Sequence, residues 1–168
     1  MAQAAEQITW RLHDRIGEPS GPWDAEPDRI AWTDPDTGYP ALMRRNQFGS
    51  WCGYVAVPPG HCAHGCGYDG DVLYDVDVHG GLTYAASCQG DPLTGVCHVP
   101  ADGEPDDVWW LGFDCGHAWD HNWMMARLGV GFDMGLHAPA EYRDVGYVKQ
   151  EVSRLAQQLK ELNDVRRY

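Results

Sequence analysis

The sequence predicts an α+β fold: a mostly antiparallel, Gly- and Trp-rich sheet with one amphipathic C-terminal helix packed on it. Three observations point there. Twenty Gly and eleven Pro spread turn signals along the 168 residues, which suits short strands better than a helix bundle. The apolar segments between those turns are short, and several alternate with polar residues at the period of a half-buried strand. Only the end of the chain differs. Val145, Val148, Val152, Leu155, Leu159 and Leu162 are spaced 3, 4, 3, 4 and 3, one helical stripe with charged residues between. The length argues for a single domain over residues 1–168, with enough chain to bury a core without covalent staples.

Taken in order, residues 1–7 are expected to fray. Ile8, Trp10 and Leu12 alternate and suggest a short first strand. Residues 17–29 read as a Pro/Gly/Asp-rich loop. Asp34-Pro35-Asp36-Thr37-Gly38 is a turn signal, because Pro presets one dihedral and Gly supplies a positive φ. Strands are predicted over 41–45 and over 51–57, the second stopped by Pro58-Pro59-Gly60. Residues 61–70 hold too many Gly for regular structure. Over 72–78, Val72, Tyr74, Val76 and Val78 alternate with Asp75 and Asp77, which predicts a strand with an acidic outer face. His79-Gly80-Gly81 is a corner, and 82–86 a partner strand. Residues 89–107 form a long polar excursion. Residues 108–113 (VWWLGF) read as a central strand, on which Trp109 and Trp110 must face opposite ways. Residues 116–135 are ambiguous: Trp119, Trp123, Met124 and Leu128 share a helical face that Gly129, Gly131 and Gly135 interrupt. The last helix is predicted over 141–163. It spans under four heptads and contains Gly146, so packing on its own sheet is expected rather than a coiled coil.

The net charge of −13 is uneven: residues 1–140 carry −14 and residues 141–168 carry +1. Such a surface repels nucleic acid and anionic membrane, and no basic stripe offsets it. No stretch reaches the length of a transmembrane helix. The first residues, MAQAAEQITWRLHDR, lack the pattern of a signal peptide. The expected setting is therefore the cytoplasm, with reduced cysteines. Eight Trp and eight Tyr against three Phe suit a core and half-wet clefts alike, since both side chains carry a polar handle.

Residues 46–126 contain no Lys and no Arg, yet hold eleven Asp/Glu, six of the eight His and all six Cys. Those are the metal-binding side chains, without the cations that would neutralise the carboxylates. Three motifs stand out: Pro58-Pro59-Gly60-His61-Cys62-Ala63-His64-Gly65-Cys66, Asp77-Val78-His79-Gly80-Gly81-Leu82-Thr83-Tyr84, and Trp109-Trp110-Leu111-Gly112-Phe113-Asp114-Cys115-Gly116-His117-Ala118-Trp119-Asp120-His121. Each sets a His or Asp beside Gly at the end of a predicted strand, where separate segments converge. The expected metal set is His79, Asp114 and His117, completed by His61 or Asp120, with zinc the best match to the donors. The spacing of Asp114 and His117 puts both on one side of a turn. Asp120 or Asp77 is the candidate general base or orienting carboxylate. The plainer alternative is that these His are hydrogen-bonded structural residues and that Asp114 caps a turn.

Cys62 and Cys66, with Cys88 and Cys97-His98, have an acceptable spacing for a structural zinc site, against the alternative of independent buried thiols. Cys115 beside His117 is a lesser candidate nucleophile. Arg44 and Arg45 precede the cation-free stretch and Arg127 follows it. They are the nearest forks for a phosphate or carboxylate, or else paired surface charges. Tyr84 and Trp110 complete the candidate ligand-binding set. No P-loop, Gly-x-Gly-x-x-Gly or Gly-x-Ser-x-Gly occurs.

The ordered run Trp51-Cys52-Gly53-Tyr54-Val55, Gly60-His61, His79-Gly80-Gly81-Leu82-Thr83-Tyr84, Trp109-Trp110-Leu111-Gly112-Phe113-Asp114-Cys115-Gly116-His117 and Tyr147-Val148 with Glu151, Leu155, Ala156 and Leu159 resembles a family of small bacteriophage and prophage proteins. The resemblance covers about residues 38 to 162. It implies a phage accessory protein acting in the host bacterial cytoplasm and brings no catalytic role with it. Cys62 stands where the family pattern has Pro, which sets the Cys62/Cys66 half-site apart from the shared motif.

Three functions are expected in turn. The first is a metal-dependent hydrolase of a small molecule, phosphorylated or not. The second is a non-enzymatic protein that binds a small ligand or nucleotide signal and counters host defence. The third is an acidic decoy for a basic host surface. The partners would be a small molecule or a host protein, not nucleic acid or membrane.

Overall fold

Turn chemistry sets the sheet. The computed structural model describes residues 6–129 and 140–166. Strands β1 (Gln7–Thr9), β2 (Arg29–Thr33), β3 (Pro40–Arg45), β4 (Trp51–Val57), β5 (Tyr84–Ser87) and β6 (Trp109–Asp114) form one antiparallel sheet, ordered β1-β2-β3-β4-β6-β5. Between β2 and β3, the Asp34 carboxylate accepts from the Thr37 amide and hydroxyl, and Gly38 takes φ +75°. Between β3 and β4, Asn46 Oδ1 accepts from the Phe48 and Ser50 amides, and Gly49 takes φ +89°.

One face of the sheet receives α2 (Val145–Val165). Val148, Val152, Leu155 and Leu159 are fully buried against Met43, Val55, Leu111 and Phe113. Gly53 makes the approach possible: a Cβ there would lie 2.5 Å from Phe113 and 2.6 Å from Val152. Asp144 caps the helix by accepting from the Tyr147 amide at 2.8 Å. The other face packs Leu42, Tyr54, Ala56 and Trp110 under Val96 of the polar excursion and Val108 just after it. Buried Arg29 fastens that excursion by donating to the carbonyls of Pro92, Gly95 and Cys97. Burial, helped by nearby Arg44, lowers its pKa to about 10, so it stays a cation at neutral pH. Trp109 lies on the helix side, its indole donating to the Cys66 carbonyl, and Trp110 on the other.

Beyond the sheet, β7 (Asp120–His121) pairs in parallel with β8 (Glu141–Tyr142), and Asn122 caps the short α1 (Trp123–Arg127). Glu26 ties the parts together. Its Oε2 accepts from Arg45 (2.7 Å), the Trp51 indole (3.2 Å) and the Tyr142 hydroxyl (2.6 Å), while Oε1 accepts from the Val145 amide (3.0 Å). Asp28 accepts from Arg15 and from the Leu12 amide, and it faces Arg45.

The α+β architecture, the antiparallel sheet and the packed helix match the sequence expectation, but several elements differ. Gln7 is in β1, not frayed, and that strand ends at Thr9, because the chain leaves the sheet to give its Leu12 and His13 amides to Asp28. Strand β2 begins at the end of the predicted loop. Residues 72–78 are not a strand. A short 3-10 turn (Asp71–Leu73) and further turns run there, because the Asp77 backbone bonds to Gln158 and Arg154 of α2 rather than to a neighbouring strand. The last helix starts at Val145, since Glu141–Tyr142 is spent on β8. Part of the ambiguous 116–135 segment lies outside the described residues. Among the described residues no helix is long and apolar enough to cross a membrane.

A candidate metal centre

Three segments meet at Asp120. The corner after Val78 brings His79, the turn after β6 brings His117, and β7 supplies Asp120 itself, which is fully buried. The His79 Nε2–Asp120 Oδ2 distance is 2.8 Å, and the His117 Nδ1–Asp120 Oδ2 distance is 3.0 Å. The same oxygen accepts from the His117 amide at 3.1 Å. On the other oxygen, Arg143 Nε donates at 3.0 Å. Burial pushes the Asp120 carboxyl up, but hydrogen bonds from His79, Arg143 and His117 outweigh it and hold the group below the usual aspartate range.

Helix α2 fixes His79. Its Nδ1 lies 2.7 Å from the Tyr147 hydroxyl, and its amide donates to Glu151 Oε2 at 2.8 Å. His117 is held by packing. Its ring stacks on Trp119 with centroids 4.7 Å apart and planes 4° apart. On the opposite chain, Gly80 takes φ +67°, and a Cβ there would lie 2.1 Å from the His117 ring. Glycine at 80 thus serves both the corner and the imidazole.

These three residues each offer a donor atom, all within 4.8 Å of one another, and can hold a metal ion. A tetrahedral site with bonds of roughly 2.0–2.1 Å separates its ligand atoms by roughly 3.3 Å, close to the 2.8 and 3.0 Å seen. Tyr147 and Arg143 stand where partners that orient the ligands would. His117 also opens onto a cleft of about 460 Å³, together with Asn46, Phe48, Ser50, Asp114 and Met125.

Of the expected metal set, His79 and His117 meet, and Asp120 is the carboxylate between them rather than an outlying base. Asp114 and His61 do not join them. Asp114 accepts from Thr83 Oγ1 (3.0 Å) and the Gly116 amide (2.9 Å), which caps the turn at the cleft wall. The i,i+3 spacing does operate, one register later, between His117 and Asp120. His61 is buried beneath α2. Its Nε2 donates to the Leu159 carbonyl at 2.9 Å and its Nδ1 accepts from the Ala63 amide at 3.0 Å, which occupies both nitrogens.

Other expectations also change. Asp77 is exposed, pairs with Arg154 at 2.6 Å and clamps a loop to α2, so it is no general base at this centre. Arg45 is fully buried between Glu26 and Asp28, with its guanidinium 4.1 Å from the centroid of the Trp51 ring, and its donors are spent on Glu26 and the Pro27 and Gly49 carbonyls. Arg44 donates to the Thr94 carbonyl. Tyr84 packs edge-on to Tyr54, and Trp110 is fully buried on the sheet face away from α2. None of the four lines the cleft. Cys88 and Cys97 form a disulfide, which removes them from a zinc site and departs from the reduced state expected of all six cysteines. Cys62 and Cys66 are free thiols, with Cys66 Sγ directed at the Cys62 carbonyl at 3.6 Å. Burial, with Asp120 nearby, pushes the Cys115 thiol far up, which opposes a nucleophilic role.

Spacing and composition assign no role to Tyr147, Glu151 or Arg143; Tyr147 and Glu151 lie outside the apolar stripe and stand in the motif run above with no function attached. No family model matches the chain, and no curated protein or solved structure matches it either.

Proposed function

We propose that His79, His117 and Asp120 bind one divalent cation, zinc fitting the donors best, and that the protein hydrolyses a small molecule held in the adjoining cleft. The observation that carries this is the shared Asp120 oxygen, within 3.0 Å of imidazole nitrogens from two separate segments. Three protein ligands leave a position for water, whose pKa a bound cation lowers towards neutrality. The chain's own part is orientation. Arg143 fixes the carboxylate, Tyr147 and Glu151 fix His79, and Gly80 with Trp119 fix His117. The phage motifs support an accessory protein of a bacteriophage as the setting. For its compartment, the Cys88–Cys97 bond counts against the reducing cytoplasm expected from the sequence.

The test is elemental analysis of purified protein. One equivalent of metal is expected, lost in His79→Ala and His117→Ala and kept in His61→Ala variants that remain folded. Wild-type protein that folds but takes up no metal from zinc, manganese or nickel solutions refutes the proposal. Capture without chemistry is a second reading that the open cleft also supports. It predicts that a bound ligand leaves unchanged on denaturation.

A further inference from the structure

We infer that the cleft beside His117 takes an uncharged, polyhydroxylated ligand, a saccharide, and rejects phosphorylated ones. This rests on the reading that the cleft is where substrate binds. The first argument is charge. Among the described residues no Lys or Arg lines the cleft, while Asp114 does. The nearby Arg143 is committed to Asp120 and Glu141, and Arg127 to Glu18. The chain carries −13 overall, so an anion entering here would meet repulsion and no fork to receive it.

The second argument is the pairing left open on the cleft wall. Asp114 accepts one hydrogen bond on each oxygen, which leaves lone pairs free. Asn46 spends its carbonyl on the turn, and its amide nitrogen donates to no group among the described residues. Ser50 Oγ accepts from Asn122 and keeps its own hydrogen to give. The cleft therefore offers acceptors and donors side by side. A metal cation would want only acceptors, and an apolar ligand neither; vicinal hydroxyls use both.

The third argument is the rim. Phe48, which lines the cleft, is 43% exposed. Met124 and Met125 add apolar wall. A pyranose ring has an apolar C–H face and a hydroxyl edge. A flat exposed ring beside open carboxylate and amide groups matches that amphipathic shape.

The experiment titrates full-length protein, by calorimetry, with glucose, N-acetylglucosamine and their β-1,4 disaccharides, beside glucose 6-phosphate and glucuronate. At least one neutral sugar should bind, and its phosphorylated or carboxylated counterpart at least about tenfold more weakly. Asp114→Ala and Phe48→Ala should each weaken the neutral sugar by about tenfold, the effect of one lost hydrogen bond or stacking face, at unchanged metal content. Binding of no neutral sugar, tighter binding of glucose 6-phosphate, or affinity unaltered in both variants overturns the inference. Metal content measured on the same samples separates this failure from that of the metal centre. Sugar binding with no metal sinks only the hydrolase, and metal without sugar binding sinks only the ligand class.

Discussion

Gly80 shows how a single residue can hold a site together. It takes a positive φ, and its missing Cβ is where the His117 ring sits. Gly80→Ala should strain the corner by about 1 kcal/mol or more and displace His117. Metal affinity is expected to fall more than thermal stability does, a split that metal titration beside a melting curve will show; equal wild-type affinity would contradict it. Sequence spacing went partway here. His79, His117 and Asp120 were all legible as chemistry beside glycines. Whether Asp114 or Asp120 faced the imidazoles was not, because that depends on which way the chain turns at Gly116. His61 was misassigned because a neutral imidazole bonding two backbone groups has the same local sequence as one bonding metal.

Among the elements, α2 carries most of the helix-side core. Leu155→Ala should destabilise the fold by about 2–5 kcal/mol, the range for a buried Leu truncation, read from urea unfolding. Leu155 also lies one turn from Glu151, which holds the His79 amide, so the centre should loosen with the helix. The helix was legible because its stripe repeats over five intervals. The segment 72–78 was misread because four alternating apolar residues are also what a turn-rich strap shows when it lies along a helix. Leu73 and Val78 are buried there, while Tyr74 is 89% exposed. No local pattern announces that Gln158 and Arg154 will take the hydrogen bonds of Asp77.

Across the whole molecule, two features set stability. The Cys88–Cys97 bond closes a loop with a sequence separation of 9, for which loop-closure entropy gives about 2–3 kcal/mol. Reductant should lower the unfolding midpoint accordingly. Thiol titration of the denatured protein should find four free cysteines before reduction and six after. Six before reduction would show that the excursion is held by non-covalent ties such as those from Arg29 and Arg44, without a covalent link. The charge of −13 has a separate effect: moderate salt should raise the melting temperature by screening self-repulsion.

Glu26 gives the chain an interdependence that its order conceals. Its one carboxylate receives groups from positions 45, 51, 142 and 145. A fragment trimmed to begin after residue 30 would keep every residue of the catalytic proposal, yet it would leave a buried guanidinium without its carboxylates, and an indole and a phenol without their acceptor. Deletion mapping of this protein should therefore find no smaller active core: removal of the first thirty residues, far from the histidines in sequence, should abolish function as surely as loss of the final helix.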